Sequence, residues 1–433
     1  MKDSIDASKT SRLEDENLRL RRAVDELSII NEIATAISST FTMEKIVDLI
    51  VKKCVKHLKV EQTAVMLLDK KGGERPFKTM IRKVDTSGEM LPFRFNEQLT
   101  GWMLKNKKPL LINDLPNDDR FQRVADGPFP INSLLSVPLI LKGRMIGLLT
   151  AFNKKLEGDF SIEDQRLLSI IAAQSTQVIE NARLYEEEQE LVKMTEQVRL
   201  ASEIQTGLLP KESPELEGYD IAGASYPAQV VGGDYFDFIS LDGKQWAICL
   251  GDVCGKGLPA AMLMSNLQAT IRGYALTDTS PQKCLEQSNH LLHKSTDSNK
   301  FATVFFGVLD AVKNQFIYAN AGHNRPLYFS PGKDPVYLET AGIALSFLEK
   351  FSYEQDTVAL KKDDVLVIYS DGIPEAINDR EEEYGEERLI SCINKNITSA
   401  SNELIQKIID DVQDHVGETP QFDDMTIVVI KRK

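Results

Sequence analysis

The sequence predicts an α+β protein with a helical front end, two globular domains and a helical connector between them. Three observations predict it. Leucines recur every seven residues near the N-terminus, helical and strand-like periodicities alternate over residues 29–183, and short apolar runs interleave with longer amphipathic ones beyond Pro210. A length of 433 residues, at roughly 100–200 per domain, agrees with two or three domains.

Taken in chain order, Leu13, Leu20 and Leu27 form a short heptad seam with Asn17, Val24 and Asn31 at its intervening positions. Polar Asn in such a seam favours a register-fixed parallel dimer, so residues 1–28 are expected to be a helix or coiled coil. In residues 29–183, Ile33, Ile37, Ile46 and Ile50 keep helical spacing and Thr63 to Leu68 reads as a strand. Leu134 to Leu141 and Met145 to Phe152 flank Lys142-Gly143-Arg144 as a β-hairpin. Ser161, Glu163 and Asp164 then open a helix as a cap followed by first-turn acids. No proline interrupts Asn181 to Leu209, and Leu184, Leu191 and Val198 are again seven apart, which makes residues 184–210 a helical linker. Glu186, Glu187, Glu188 and Glu190 form its solvated face. Pro210 and Pro214 end it. Residues 211–433 carry strand-like runs at Ile221 to Ser225, Trp246 to Leu250, Thr303 to Leu309, Gln315 to Ala319, Val365 to Tyr369 and Met425 to Ile430. Helical stretches around Pro259 to Tyr274, Pro281 to Ser295 and Asn402 to Val416 lie between them, giving a second α+β domain.

Composition narrows the function. With 42% hydrophobic and 27% charged residues, neither wholesale disorder nor a fibrous chain is expected. A net charge of −14 disfavours nucleic acid and anionic membrane surfaces as partners. The five cysteines are scattered, with no Cys-x-x-Cys pair, so neither a disulfide framework nor a thiolate zinc site is indicated and a reducing compartment fits. No run approaches the roughly 18 apolar residues of a membrane span, and Met1 to Arg22 lacks a signal peptide's apolar centre. A cytoplasmic protein is expected.

The second domain places acidic residues at the ends of strands. Asp252 follows the run Trp246 to Leu250, Asp371 follows Val365 to Tyr369, Asp423 and Asp424 precede Met425 to Ile430, and Asp234 follows Gly232-Gly233. If pairing brings these corners together, their charges repel unless cations neutralise them. Oxygen donors without His or Cys suit Mg2+ or Mn2+ rather than zinc, and Val253 could add its carbonyl. Hard cations so held lower the pKa of water and clamp phosphoryl oxygens, which points to phosphoester hydrolysis. Lys256 between Gly255 and Gly257 is no phosphate-binding loop, since Gly251 lies four residues before Gly255 where that motif needs five, and no Ser or Thr follows the lysine.

Gly232-Gly233-Asp234-Tyr235-Phe236-Asp237, Gly251-Asp252-Val253-Cys254-Gly255-Lys256-Gly257, Asn320-Ala321-Gly322-His323-Asn324, Ser370-Asp371-Gly372 and Asp423-Asp424-Met425-Thr426 stand in the order typical of one family. Over residues 200–433 the chain resembles the SpoIIE/RsbU branch of the PPM (PP2C-like) metal-dependent serine/threonine phosphatases. The resemblance implies a PPM-type α-β-β-α sandwich over 211–433 and two divalent cations, Mn2+ or Mg2+. It carries their ligands over to Asp234, Asp252, the Val253 carbonyl, Asp371 and Asp423, with Asp252 bridging both ions and Asp252 and Asp371 as catalytic carboxylates. Asp424 is read as a neighbour or alternate ligand, Asp237 as structural, and His323 as structural in preference to a substrate contact or proton donor. The arginine with which eukaryotic relatives hold the substrate phosphate has no match here. Leu200 to Pro210 resembles the branch's helical lead-in, where Ile204, Leu208 and Leu209 offer an apolar face.

Residues 29–183 resemble a GAF domain, an antiparallel sheet with helices, through Leu99-Thr100-Gly101-Trp102, Pro109-Leu110-Leu111-Ile112-Asn113-Asp114 and Ser136-Val137-Pro138-Leu139 with the hairpin after it. Asn153-Lys154, Phe160 and Asp164 resemble the signature of cyclic-nucleotide-binding members, but Gln165 replaces its final Glu, so a dimerisation or protein-sensing role is favoured over nucleotide binding. Cys54 is not read as a chromophore attachment point. Together the resemblances imply a GAF-regulated protein phosphatase, homodimeric through its helices and GAF domain, that dephosphorylates an anti-anti-sigma (STAS-domain) protein under control of a GAF ligand or activator protein. The rival from another class is an inactive pseudo-phosphatase that binds a phosphoprotein as a dimeric scaffold.

Overall fold

The computed structural model describes residues 16–17, 42–68, 77–83, 97–121, 131–155, 158–277, 280–297 and 299–433. The heptad seam of residues 1–28, Glu16 and Asn17 apart, lies outside them, as do Ile33 and Ile37. The chain divides into two units, Met1–Val192 and Lys193–Lys433.

The first unit is built on a five-stranded antiparallel sheet, order β2-β1-β5-β4-β3, from β1 (Val60–Leu68), β2 (Phe77–Lys83), β3 (Leu110–Ile112), β4 (Leu134–Leu141) and β5 (Arg144–Lys154). The expected hairpin forms: Leu141 pairs with Arg144 across Lys142 and Gly143, whose φ of 48° and 78° give the twist that suits a two-residue connection. Helix α1 (Met43–Leu58) lays Ile46, Ile50 and Cys54 on the sheet's Val65 and Leu149, where Leu168, Ile171 and Val178 of helix α3 (Ile162–Leu208) join them. Helix α2 (Glu97–Asn106) packs Leu99 and Met103 on the other face with Met66 and Leu148. Cys54 is fully buried there, which leaves no surface for attachment.

Ser161 caps α3 reciprocally. Its Oγ accepts from the Asp164 N–H at 3.1 Å while Asp164 Oδ2 accepts from the Ser161 N–H at 2.9 Å. Lys154 Nζ at the end of β5 meets Asp164 Oδ1 at 2.6 Å, and the Asn113 side-chain amide donates to the Phe160 carbonyl at 3.2 Å and accepts from its N–H at 2.7 Å. Lys154, Phe160 and Asp164, together with Asn113, thus clasp the sheet to the start of the helix, whereas Asn153 accepts from the Asn132 N–H and donates to Glu61. Helix α3 continues unbroken for 47 residues, with Leu184, Leu191, Met194 and Ile204 exposed. Among the described residues no helix is long and apolar enough to cross a membrane.

The second unit stacks two five-stranded antiparallel sheets. One has the order β13-β10-β9-β8-β7, from β7 (Tyr235–Ser240), β8 (Gln245–Val253), β9 (Ala302–Asp310), β10 (Gln315–Ala321) and β13 (Gln355–Ala359). The other has the order β12-β11-β14-β15-β6, from β6 (Tyr219–Tyr226), β11 (Leu327–Phe329), β12 (Val336–Tyr337), β14 (Val365–Tyr369) and β15 (Met425–Arg432). Side-chain alternation dictates the layers. Ile248, Leu250, Leu366, Ile368, Val428 and Ile430 meet in the core between the sheets. Ala247 and Cys249 face outward beneath helices α4 (Leu258–Ala275) and α5 (Pro281–Ser295). Val365, Val367 and Tyr369 face outward beneath α6 (Glu386–Asn396) and α7 (Ser401–Val416). The result is the expected α-β-β-α sandwich.

Candidate active site

Antiparallel register decides which acids meet. Tyr235 pairs with Gly251, so Asp234, just ahead of β7, and Asp252, near the end of β8, reach one edge of their sheet. In the other sheet Tyr369 pairs with Ile427, which sets Asp371, just past β14, beside Asp423 and Asp424, just ahead of β15. Stacking brings the two edges within electrostatic reach of each other: Asp252 carries the repulsion of Asp371, Asp423 and Asp424, and Asp234 that of Asp252 and Asp424. The acidic corners, distant in sequence, therefore feel one another's charge.

Their environment is hostile to bare charge. Burial first, and then the charges of Asp371 and Asp423, push Asp252 up to about 7. Asp234 is raised well above the carboxylate range by burial and by Asp252, against the opposing pull of Thr426 and Ser370. Asp371 is raised by burial and by Asp423, with Lys256 pulling the other way. Asp234 Oδ2 is buried and has no hydrogen-bond partner. A Cβ added to Gly233 would lie 3.1 Å from the Val253 carbonyl oxygen and 3.4 Å from Asp252 Oδ1, so only glycine leaves that space open beside both. Among the described residues no three His, Cys, Asp or Glu side chains already gather at ion-holding distance. An unpartnered buried carboxylate oxygen, mutually repelling carboxylates and an adjacent backbone carbonyl nevertheless make an all-oxygen donor set that fits hard divalent cations.

The neighbours divide into supports and rim. Asp424 is spent on the backbone: Oδ1 accepts from Ala228 at 2.7 Å, and Oδ2 accepts from Gly233 at 2.5 Å and Asp234 at 3.3 Å, which holds the loop carrying Asp234. From α3, buried Gln205 grips the same loop by accepting from the Gly232 N–H at 3.1 Å and donating to its carbonyl at 2.7 Å. Asp237, fully buried in β7, is forked by Arg272 at 2.5 and 2.8 Å and receives the Tyr235 hydroxyl at 2.7 Å, a structural use. Glu375, raised by burial and by Asp371, adds an acid to the rim that sequence reasoning missed; its place four residues after Asp371 was the available signal.

His323 is buried rather than presented to a substrate. Asn320 ties its backbone at 2.7 and 2.9 Å, and its Nδ1 lies 2.8 Å from Thr303 Oγ1. Burial pushes its pKa down to about 4, while the unfolded residue titrates near 6.5. Between those values the unfolded chain takes up the proton and the folded chain does not, so this residue withdraws stability as pH falls from 6.5 to 4, on the order of 3 kcal/mol in full. Urea unfolding of wild type and His323→Asn at pH 7 and pH 4 measures it. The variant is expected to lose less stability on acidification, and equal losses would refute the assignment.

Comparisons with known proteins agree with this architecture. The family pattern described as "Stage II sporulation protein E (SpoIIE)" matches residues 242–433, and that of the GAF domain matches residues 42–180. Phosphoserine phosphatase RsbU of Bacillus subtilis (strain 168) is 32% identical over 240 residues, covering 55% of this chain and 70% of RsbU. Protein IcfG of Synechocystis is 26% identical over 257 residues, covering 53% of this chain and 40% of IcfG. Among solved structures, the SiaA-PP2C domain of Pseudomonas aeruginosa superposes with a TM-score of 0.51 at 21% identity, covering 56% of this chain and 99% of that domain, a likeness of fold. The chain belongs to the SpoIIE/RsbU branch of the PPM (PP2C-like) serine/threonine phosphatases and carries a GAF domain ahead of its phosphatase domain.

Proposed function

We propose that this phosphatase acts with two divalent cations, Mn2+ or Mg2+, on the phosphoserine or phosphothreonine of a STAS-domain protein, under the control of its GAF domain. The observation that carries the reading is the meeting of Asp234, Asp252, Asp371 and Asp423 at the joined edges of two sheets, with Asp234 Oδ2 buried and unpartnered. These four side chains and the Val253 carbonyl are the proposed ligands, Asp252 serving both ions and Asp252 and Asp371 forming the catalytic pair. When bound, such ions supply Lewis acidity towards phosphoryl oxygens and an acidified water. The chain supplies the rest. Asp424 and Gln205 hold the Asp234 loop, and Asp252 and Asp371 sit where burial makes their charges costly without a counter-charge.

The substrate class rests on the resemblance to the SpoIIE/RsbU branch. Homodimerisation is supported by the exposed apolar positions Leu184, Leu191 and Met194 along α3. A cytoplasmic location fits this role. The test is Mn2+-supported release of phosphate from candidate phospho-STAS proteins by the full-length chain, with p-nitrophenyl phosphate as the generic substrate. Hydrolysis of the latter without any phospho-STAS turnover would displace the substrate assignment alone. No hydrolysis and no calorimetric binding of Mn2+ or Mg2+ would leave the pseudo-phosphatase scaffold.

A further inference from the structure

A centre built of carboxylates must still receive a phosphoryl dianion, and among the described residues no arginine is paired with these acids. The structure puts a basic side chain against the cluster instead. Lys256 lies in the loop between β8 and α4, where Gly255 and Gly257 take φ of 98° and 71°. Across that turn its ammonium reaches the segment ahead of β15. Nζ donates to the Phe422 carbonyl at 2.6 Å, meets Asp423 Oδ2 at 3.0 Å and stands 3.6 Å from the centroid of the Phe422 ring. Its charge is also felt at Asp371. An ammonium has three N–H donors, and the carbonyl and carboxylate take two. The third is left on a side chain that is 37% exposed. Ring and carbonyl together hold the head group in place, so little rotamer freedom remains to be lost when an anion arrives.

We propose that Lys256 anchors a phosphoryl oxygen of the phosphomonoester substrate, and of the inorganic phosphate product, at the rim of the active site. The proposal rests on the phosphatase reading above and names the cation that reading leaves unassigned. Arg272 is not available for the task, since both arms of its guanidinium contact hold buried Asp237. A lysine presents a point charge rather than a planar fork, so the anchoring tolerates arginine in its place.

The experiment uses the full-length protein with Mn2+. It reads KM and kcat for p-nitrophenyl phosphate, inhibition by inorganic phosphate, and calorimetric binding of Mn2+ and of phosphate, with melting temperatures as a folding control. Lys256→Met and, in parallel, Lys256→Gln are expected to weaken phosphate inhibition and raise KM about tenfold or more, the loss of one charge-assisted hydrogen bond. Mn2+ binding is expected to be no weaker, since the ammonium beside Asp423 donates nothing to the ions, and Lys256→Arg is expected to recover most of the loss. Phosphate affinity indifferent to the substitutions overturns the proposal. So does tighter Mn2+ binding with unchanged phosphate inhibition, which would make the ammonium a tethered competitor of the ions at Asp423. A wild-type protein without turnover whose phosphate binding still depends on Lys256 would sink the phosphatase reading and keep the anion site. If that binding ignored Lys256, both would go.

Discussion

Asp252→Asn is expected to cut Mn2+-dependent hydrolysis of p-nitrophenyl phosphate by about a thousandfold or more while making the metal-free protein more stable. The first half follows from its place: Asp252 is where the charges of Asp371, Asp423 and Asp424 converge, and removing a group that acts as part of a unit costs about as much as removing the unit. The second half follows from the sign of its shift. The folded carboxyl is raised to about 7 and the unfolded one titrates near 3.8. Folding therefore loses stability as pH rises from 3.8 through 7, and above that range the ionised, uncompensated carboxylate carries its full penalty. Asparagine removes it, for a gain of about 1–3 kcal/mol at pH 8 in EDTA that vanishes near pH 4. Kinetics with Mn2+ and thermal melts in EDTA at the two pH values measure both halves. Undiminished turnover would reject the assigned centre.

The second large effect is expected at Gln205→Leu. Leucine matches the side chain's bulk but leaves the Gly232 N–H and C=O without partners in a buried setting, at about 1–3 kcal/mol each. At that cost the phosphatase domain's melting temperature should fall by roughly 5–15 °C. Asp234 lies two residues beyond Gly232 on the loop that Gln205 grips, so Mn2+ affinity should fall as well. Gln205→Glu separates the contributions, because a carboxylate still accepts from Gly232 N–H but cannot donate to its carbonyl. A lowered melting temperature with unaltered Mn2+ affinity would make Gln205 a purely architectural latch.

Much of this arrangement could be read before any coordinates. The hairpin at Lys142-Gly143, the cap at Ser161 and the long helix that stops just ahead of Pro210 each rest on local chemistry, which a linear chain displays. The strand-end aspartates were legible for the same reason, since an acid after a buried apolar run marks a corner. What escaped depends on partners far along the chain. Strand β7 is buried on both faces, so Tyr235 to Ile239 has no alternation to betray it, and its central Asp237 makes sense only beside Arg272 from α4. Helix α6 buries just Leu389, Cys392 and Ile393, too few for its periodicity to stand out. Strands β11 and β12 are three and two residues long, below the length at which any pattern speaks. Gln205 looked like one more polar position on a helix until its two bonds to Gly232 appeared.

The carboxylates come from two separately hydrogen-bonded sheets, Asp234 and Asp252 from one and Asp371 and Asp423 from the other. Cations held by these proposed ligands would act as rivets between the leaves of the sandwich. Loosening the leaves would open the centre, and stripping the centre would loosen the leaves, so holding metal and keeping the sandwich shut become a single cooperative property of the phosphatase.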